Sequence, residues 1–243
     1  MPERSTLDNI SIVLVHTKAP ANIGSVARCM MNMGLSRLFL VQPPADPENE
    51  ARKLAAGADR VLDAARTFGT LAEAVADHHL VLGTSRHLTR HRRNVGTPRE
   101  AAERIVPFLG TNRAALVFGN EVNGLERDDL ALCNGLIAIP SSGAFPSLNL
   151  SHAVMVIAYE LFLAVHAGFP TSTRQLESSE KLERFYNHLQ ASLRDIGFLD
   201  DMNSEQMMFT LRQIFGRATL EPRDVSILRG VLTAISESNR ESH

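Results

Sequence analysis

The stretch Ile10-Ser11-Ile12-Val13-Leu14-Val15, followed shortly by Ala21-Asn22-Ile23-Gly24-Ser25-Val26-Ala27-Arg28, decides how this chain is read. Six residues rich in β-branched and aliphatic side chains, with little polar alternation, read as a strand buried on both faces. Pro20 and Asn22-Ile23-Gly24 then open a helix. Working outward, Leu38–Val41, Leu80–Gly83, Ala115–Phe118 and Leu136–Ile139 repeat the short apolar run. Helical segments fall between them near Ile23–Met33, Leu71–Ala76, Pro98–Leu109 and Arg127–Cys133. A longer helix over Leu148–Ala167 is stopped by Gly168 and Pro170. This alternation predicts an α/β fold, a parallel sheet with helices on both faces.

The pattern changes at Pro170–Glu180 (PTSTRQLESSE), a polar stretch that reads as a linker. Beyond it strand signals vanish. Leu182, Phe185, Tyr186, Leu189 and Leu193 share one face at helical spacing. Asn203 with Gln206 suggests a capping box for a second helix carrying Met207, Leu211, Ile214 and Phe215. Pro222 suits the first turn of a third helix, with Val225, Leu228, Leu232 and Ile235 on one side. The expected division is therefore a main domain over 1–169, a linker over 170–180 and a small all-α C-terminal extension over 181–243. So short an extension is expected to pack on the main domain or on a partner subunit.

The bulk numbers narrow the class. A chain of 243 residues, 44% hydrophobic and 21% charged, is an ordinary globular protein that can bury a large core. Cys29 and Cys133 are the two cysteines; they form no disulfide framework and lack metal-ligand spacing, so a reducing, cytoplasmic setting is the simple reading. Met1–Asn9 is polar and has no signal-peptide core. His152, Glu160 and His166 interrupt Leu150–Phe169, which reads as a buried helix and not a membrane span. A net charge of −2 argues against non-specific coating of nucleic acid, but patches matter more than totals. Arg86, His87, Arg90, His91, Arg92 and Arg93 crowd together with no acid among them: an RNA contact, or a solvated loop.

A turn after a parallel strand lies at the carboxyl edge of the sheet, where ligands bind in open α/β folds. Arg28 could reach that edge; alternatively, Gly24 permits close helix packing and Arg28 is a solvated charge. A second set of residues follows later strands: Phe118-Gly119-Asn120-Glu121 with Gly124-Leu125, then Pro146-Ser147-Leu148-Asn149-Leu150-Ser151. Gly83-Thr84-Ser85 adds a third turn. Three loops at one sheet edge make a pocket. No G-x-G-x-x-G follows a strand and no Walker-type G-K-[ST] occurs, so dinucleotide and P-loop sites are unsupported. Ser147 and Asn149 also suit a helix N-cap, and Glu121 also suits a turn surface. His78, His79, His152 and His166 read as structural.

Together these stretches resemble the SPOUT superfamily of RNA methyltransferases, and within it the TrmJ branch, over about Ile10–Ala167. The resemblance implies a trefoil knot in the C-terminal half of the α/β domain. It also implies S-adenosylmethionine (AdoMet) as methyl donor, no required metal, an obligate homodimer, no membrane, and a tRNA ribose 2′-hydroxyl as acceptor, at anticodon-loop position 32. Asn22, Gly24 and Arg28 match its first motif, which makes Arg28 catalytic, as general base or as electrostatic stabiliser, with Asn22 positioning the ribose or Arg28. Glu121, Ser147 and Asn149 fall on its polar positions near the reaction. Thr84, Ser85, Arg86, Gly119, Ile139, Pro146, Ser147 and Leu148 match its AdoMet loops. Arg28, Arg90, Arg92 and Arg93 would contact RNA, assisted by the C-terminal extension. The rivals are another tRNA or rRNA ribose, a base nitrogen, and a non-catalytic RNA-binding protein.

Overall fold

The computed structural model describes residues 6–46, 49–85, 95–169 and 171–241. Among these, seven strands form one sheet: β1 (Ile10–Val15), β2 (Arg37–Val41), β3 (Arg66–Phe68), β4 (Leu80–Thr84), β5 (Val95–Gly96), β6 (Ala114–Phe118) and β7 (Gly135–Ile137). Their order is β3-β2-β1-β6-β4-β7-β5 and every pairing is parallel. The five expected strands are all present. The two missed ones lie at the sheet's two edges, where burial imposes no apolar run: β3 is Arg-Thr-Phe with its first two residues exposed, and β5 is two residues long.

Ten helices accompany them among the described residues: α1 (Pro20–Asn32), α2 (Glu50–Ala55), α3 (Asp59–Asp63), α4 (Leu71–Val75), α5 (Pro98–Ile105), α6 (Arg127–Ala131), α7 (Leu150–His166), α8 (Ser179–Asp195), α9 (Ser204–Gly216) and α10 (Pro222–Glu241). One sheet face packs Ile10, Ile12 and Leu14 against Ile23, Val26 and Met30 of α1, Ile105 of α5, and Val154, Ile157 and Leu161 of α7. The opposite face packs Val13, Val15 and Phe39 against Leu71 and Val75 of α4 and Leu130 of α6. Alternate β1 residues thus serve two cores, which is why the strand reads as a continuous apolar run.

The order of strands places the site. From β1 the chain moves outward through β2 and β3, then crosses to the far side of β6 to build β4, β5 and β7. The direction reverses between β1 and β6, and a crevice at the carboxyl ends of the strands opens at such a point. The loop entering α1 and the loop after β6 are therefore neighbours despite a separation of about a hundred residues.

The stretch after Phe169 departs from the linker reading. Leu176 and Glu177 are buried, and the backbone is stitched to the main domain: Ser172 N donates to Pro107 O, Ser179 N to His78 O and Glu180 N to Ala76 O. Asn112 sits at the centre, donating to Arg174 O at 2.8 Å and accepting from Leu176 N at 2.8 Å. The polar groups of this connecting stretch are consumed in the docking. α8, α9 and α10 share a third core built on Leu182, Phe185, Tyr186, Leu189, Val225 and Leu232. The expected capping box at Asn203 is not formed. Asn203 Oδ1 instead accepts from Asp200 N, and Gln206 accepts from Arg127.

Candidate active site

A cleft of about 270 Å³ opens at the carboxyl edge of β6, β4 and β7, which are adjacent in the sheet. Three connections wall it. At the end of β4 stand Thr84 and, just beyond it, Ser85, with Thr84 Oγ1 donating to Val117 O of β6. After β6 comes the loop Gly119–Leu125, and after β7 come Ile139, Pro146, Ser147 and Leu148. Ile137, Leu150 and Ala153 complete an apolar side against polar groups of Asn120, Glu121 and Ser147.

Glycine is required in the middle loop for a steric reason. A Cβ on Gly119 would lie 2.0 Å from the carbonyl carbon of Gly124, because the loop folds directly back over it. Gly124 has φ of +74°, the left-handed region that glycine enters without strain. Asn120 locks the turn, its Oδ1 accepting from Val122 N at 3.0 Å and Asn123 N at 2.8 Å. Asn120 was not singled out from the sequence; an asparagine just after a glycine turn, able to bond the backbone ahead of it, was the available signal.

The polar groups at the cleft mouth form one chain across the three sequence motifs. Asn22 Nδ2 donates to Glu121 Oε1 at 2.6 Å, and Asn149 Nδ2 donates to Asn22 Oδ1 at 3.2 Å. Asn149 Oδ1 accepts from Ser151 N at 2.9 Å and Ser151 Oγ at 2.7 Å, which makes Asn149 the N-cap of α7. Glu121 also accepts from Lys18 N at 2.9 Å and Ala19 N at 3.5 Å. It therefore sits at the positive end of α1, whose own N-cap, Ala19, has no side chain to offer. Burial alone would raise the Glu121 carboxyl pKa, but the bonds from Asn22, Lys18 and Ala19 outweigh it and hold it below the ordinary carboxylate value. Glu121 is a clamped anion, not a free surface charge.

Of the residues matched from the sequence, Thr84, Ser85, Gly119, Glu121, Ile139, Pro146, Ser147 and Leu148 all line the cleft. Asn22 reaches it through its bond to Glu121, and Asn149 through its bond to Asn22. Arg86, Arg90, Arg92 and Arg93 lie outside the described residues. Gly24 serves packing: a Cβ there would stand 1.9 Å from Ala51 O, so α1 and α2 meet backbone to backbone. Arg28 lies two turns into α1, is exposed, does not line the cleft, and makes no hydrogen bond or ion pair with the described residues. Among the described residues no cluster of His, Cys, Asp or Glu could hold a metal ion.

The SpoU rRNA methylase family model matches residues 9–159, and that of the tRNA methyltransferase TrmJ C-terminal domain matches residues 180–243. This chain belongs to the TrmJ family of SpoU-type methyltransferases. A curated relative from Pseudomonas aeruginosa, tRNA (cytidine/uridine/adenosine-2′-O-)-methyltransferase TrmJ, is 43% identical, covering 93% of each chain. The Escherichia coli tRNA (cytidine/uridine-2′-O-)-methyltransferase TrmJ is 41% identical, covering 96% of this chain and 98% of that one. The crystal structure of TrmJ from Z. mobilis ZM4 superposes with a TM-score of 0.80 at 36% identity, covering 93% of this chain and 98% of that one. Family membership thus spans both the sheet domain and the C-terminal helices.

Proposed function

We propose that this chain transfers a methyl group from AdoMet to a ribose 2′-hydroxyl of tRNA, at anticodon-loop position 32. The observation that carries the reading is the chain Glu121–Asn22–Asn149 at the cleft mouth, which joins all three motifs of a TrmJ-family methyltransferase in one bonded unit. The cleft suits AdoMet in chemistry: an apolar side of Ile137, Ile139, Leu148 and Leu150 for an adenine, and backbone and hydroxyl groups of Thr84, Ser85 and Ser147 for polar contacts. When bound, AdoMet supplies a methyl activated by a sulfonium.

The chain's own residues position the acceptor and ease its loss of a proton. Arg28 offers a planar fork of N–H donors and no acceptor, which suits it to anionic oxygens. Its role is to hold a phosphate and to stabilise the developing 2′-alkoxide electrostatically. Asn22, fixed between Glu121 and Asn149, sets the entry of α1 and offers its amide at the ribose side. Arg28 lies outside its own subunit's cleft, and this supports a homodimer in which the site borrows groups across the interface. Val156, Tyr159 and Leu163 on the exposed side of α7 provide an apolar face for such a dimer. The reading also includes the trefoil knot through the loop after β7, a cytoplasmic setting, tRNA contacts from Arg90, Arg92, Arg93 and the C-terminal helices, and Arg86 at the AdoMet loop.

The deciding experiment is methyl transfer from labelled AdoMet to unmodified tRNA transcripts, with the product mapped by 2′-O-methyl-sensitive cleavage. Label at the ribose of position 32 is the expected result. Label at another ribose would move the target. AdoMet binding with no transfer to any tRNA would overturn the proposed substrate.

A further inference from the structure

Helix α9 lies outside the cleft, yet it is fastened at both ends and in the middle to the segment that connects two of the cleft's walls. That segment is α6 and β7, residues 127–137. The loop before it is Gly119–Glu126, and the loop after it carries Ile139 and Pro146–Leu148. At its start, α9 presents Glu205 to Arg127 at 2.7 Å and Gln206 to the same guanidinium at 3.3 Å. In its middle, Phe209 packs against the core on that face of the sheet, whose members include Leu125, Leu130, Cys133 and Leu136. At its end, Gly216 fits so closely under the chain that a Cβ would lie 2.9 Å from Asn134 O. Arg104 of α5 closes the contact by donating to Gly216 O at 3.1 Å.

Leu125 and Leu130 belong to two surfaces at once. They line the cleft, and they are members of the cluster that Phe209 packs against. A shift of Phe209 therefore alters the support of the cleft wall from behind. Other α9 side chains face the other way: Met208, Leu211 and Phe215 enter the C-terminal core, with Phe215 edge-on to Phe185 at 5.2 Å. One helix thus has residues in two cores, and close-packed cores transmit displacement because they cannot absorb it.

We infer that α9 is a positioning element for the AdoMet cleft, with Phe209 as its main positioning residue, so that docking of the C-terminal helices and AdoMet affinity are linked. This rests on the reading of the cleft as the AdoMet site. Linkage is reciprocal: if docked α9 favours AdoMet, bound AdoMet must favour docked α9 by the same factor.

The test uses the full chain without tRNA. Phe209→Ala is expected to weaken AdoMet binding, measured by calorimetry, about fivefold or more, the lower end of ordinary coupling between sites. Phe209→Leu, which keeps an apolar side chain of nearly equal reach, should restore most of it. In the wild-type chain, AdoMet should slow amide hydrogen exchange across residues 204–216. A folded Phe209→Ala with unchanged AdoMet affinity overturns the inference, as does wild-type exchange in α9 that ignores AdoMet. Should Phe209→Ala fail to fold, the wild-type exchange measurement decides by itself. Gly119→Ala separates the two readings: if it folds and still binds AdoMet normally, the cleft assignment itself is wrong.

Discussion

The two ends of the same sheet use polar residues in opposite ways. At the carboxyl end, Asn22, Glu121 and Asn149 bond to one another and hold loops apart around an open cleft. At the amino end, polar groups are buried and tied down. His78 Nε2 meets Ser11 Oγ at 2.9 Å, Arg37 Nε donates to the same oxygen at 3.2 Å, and Asn112 grips the chain leading to α8. The first arrangement keeps polar groups beside an open cleft; the second spends them on fixing the amino end and the chain that leads to the C-terminal helices. Carboxyl-end variants should therefore damage chemistry more than stability, and amino-end variants the reverse.

The largest effect is expected at Arg28. Arg28→Ala should lower methyl transfer by about 10²–10³-fold, the scale of losing one transition-state donor, while AdoMet binding and melting temperature stay near wild type. Near-normal turnover would remove Arg28 from the chemistry and leave it a solvated charge. Next is Asn112→Ala at the opposite end. It removes bonds to Phe108 O and Arg174 O and strands Leu176 N. A loss of about 3 kcal/mol is expected, as buried amide bonds are broken and a buried donor is left unpaired. Denaturant unfolding would measure it, and a loss under 1 kcal/mol would mean that the C-terminal segment is held some other way.

The amino end should also respond to acid. Burial, with Arg37 nearby, lowers the His78 pKa to about 4 from the ordinary 6.5. Below pH 6.5 the unfolded chain takes up a proton that the folded chain refuses until about pH 4, so stability falls across that window. Between pH 7 and pH 5 the loss from this one group is about 2 kcal/mol. His78→Gln should flatten that part of the pH–stability curve, and an unchanged slope would show that His78 charges freely in the native state. The smallest effect belongs to the exposed pair Arg174–Glu221, 2.7 Å apart. Glu221→Gln should cost under about 1 kcal/mol, since water screens such pairs. A larger cost would mean that the surface ion pair, and not Asn112, fastens the segment.

Reading the sequence alone succeeded where burial imposes a pattern. The runs at Ile10–Val15 and Ala114–Phe118 are buried throughout, and their composition follows from that. It failed where burial imposes none, at the sheet-edge strands β3 and β5 and the short helices α2 and α3. The cleft was legible because glycines and small polar residues cluster after strands, and each matched cleft residue within the described part lines it. The bonding of Glu121 to Lys18, Ala19 and Asn22 was not legible. A carboxylate in a turn looks solvated until the α1 entry is placed beside it, about a hundred residues away in sequence but adjacent in the sheet.

What the sequence determined by itself was local and periodic: which runs are strands, where helices start, and which motifs a TrmJ-family chain carries. What only the tertiary structure decided depends on which loops become neighbours. The strand order places the turns after β1 and β6 side by side, so that Asn22 and Glu121 bond. It also turns the polar stretch after Phe169 from a tether into a docked segment. Both outcomes arise because hydrogen bonds between distant segments have no signature in local composition, whereas burial of a strand or a helix face does.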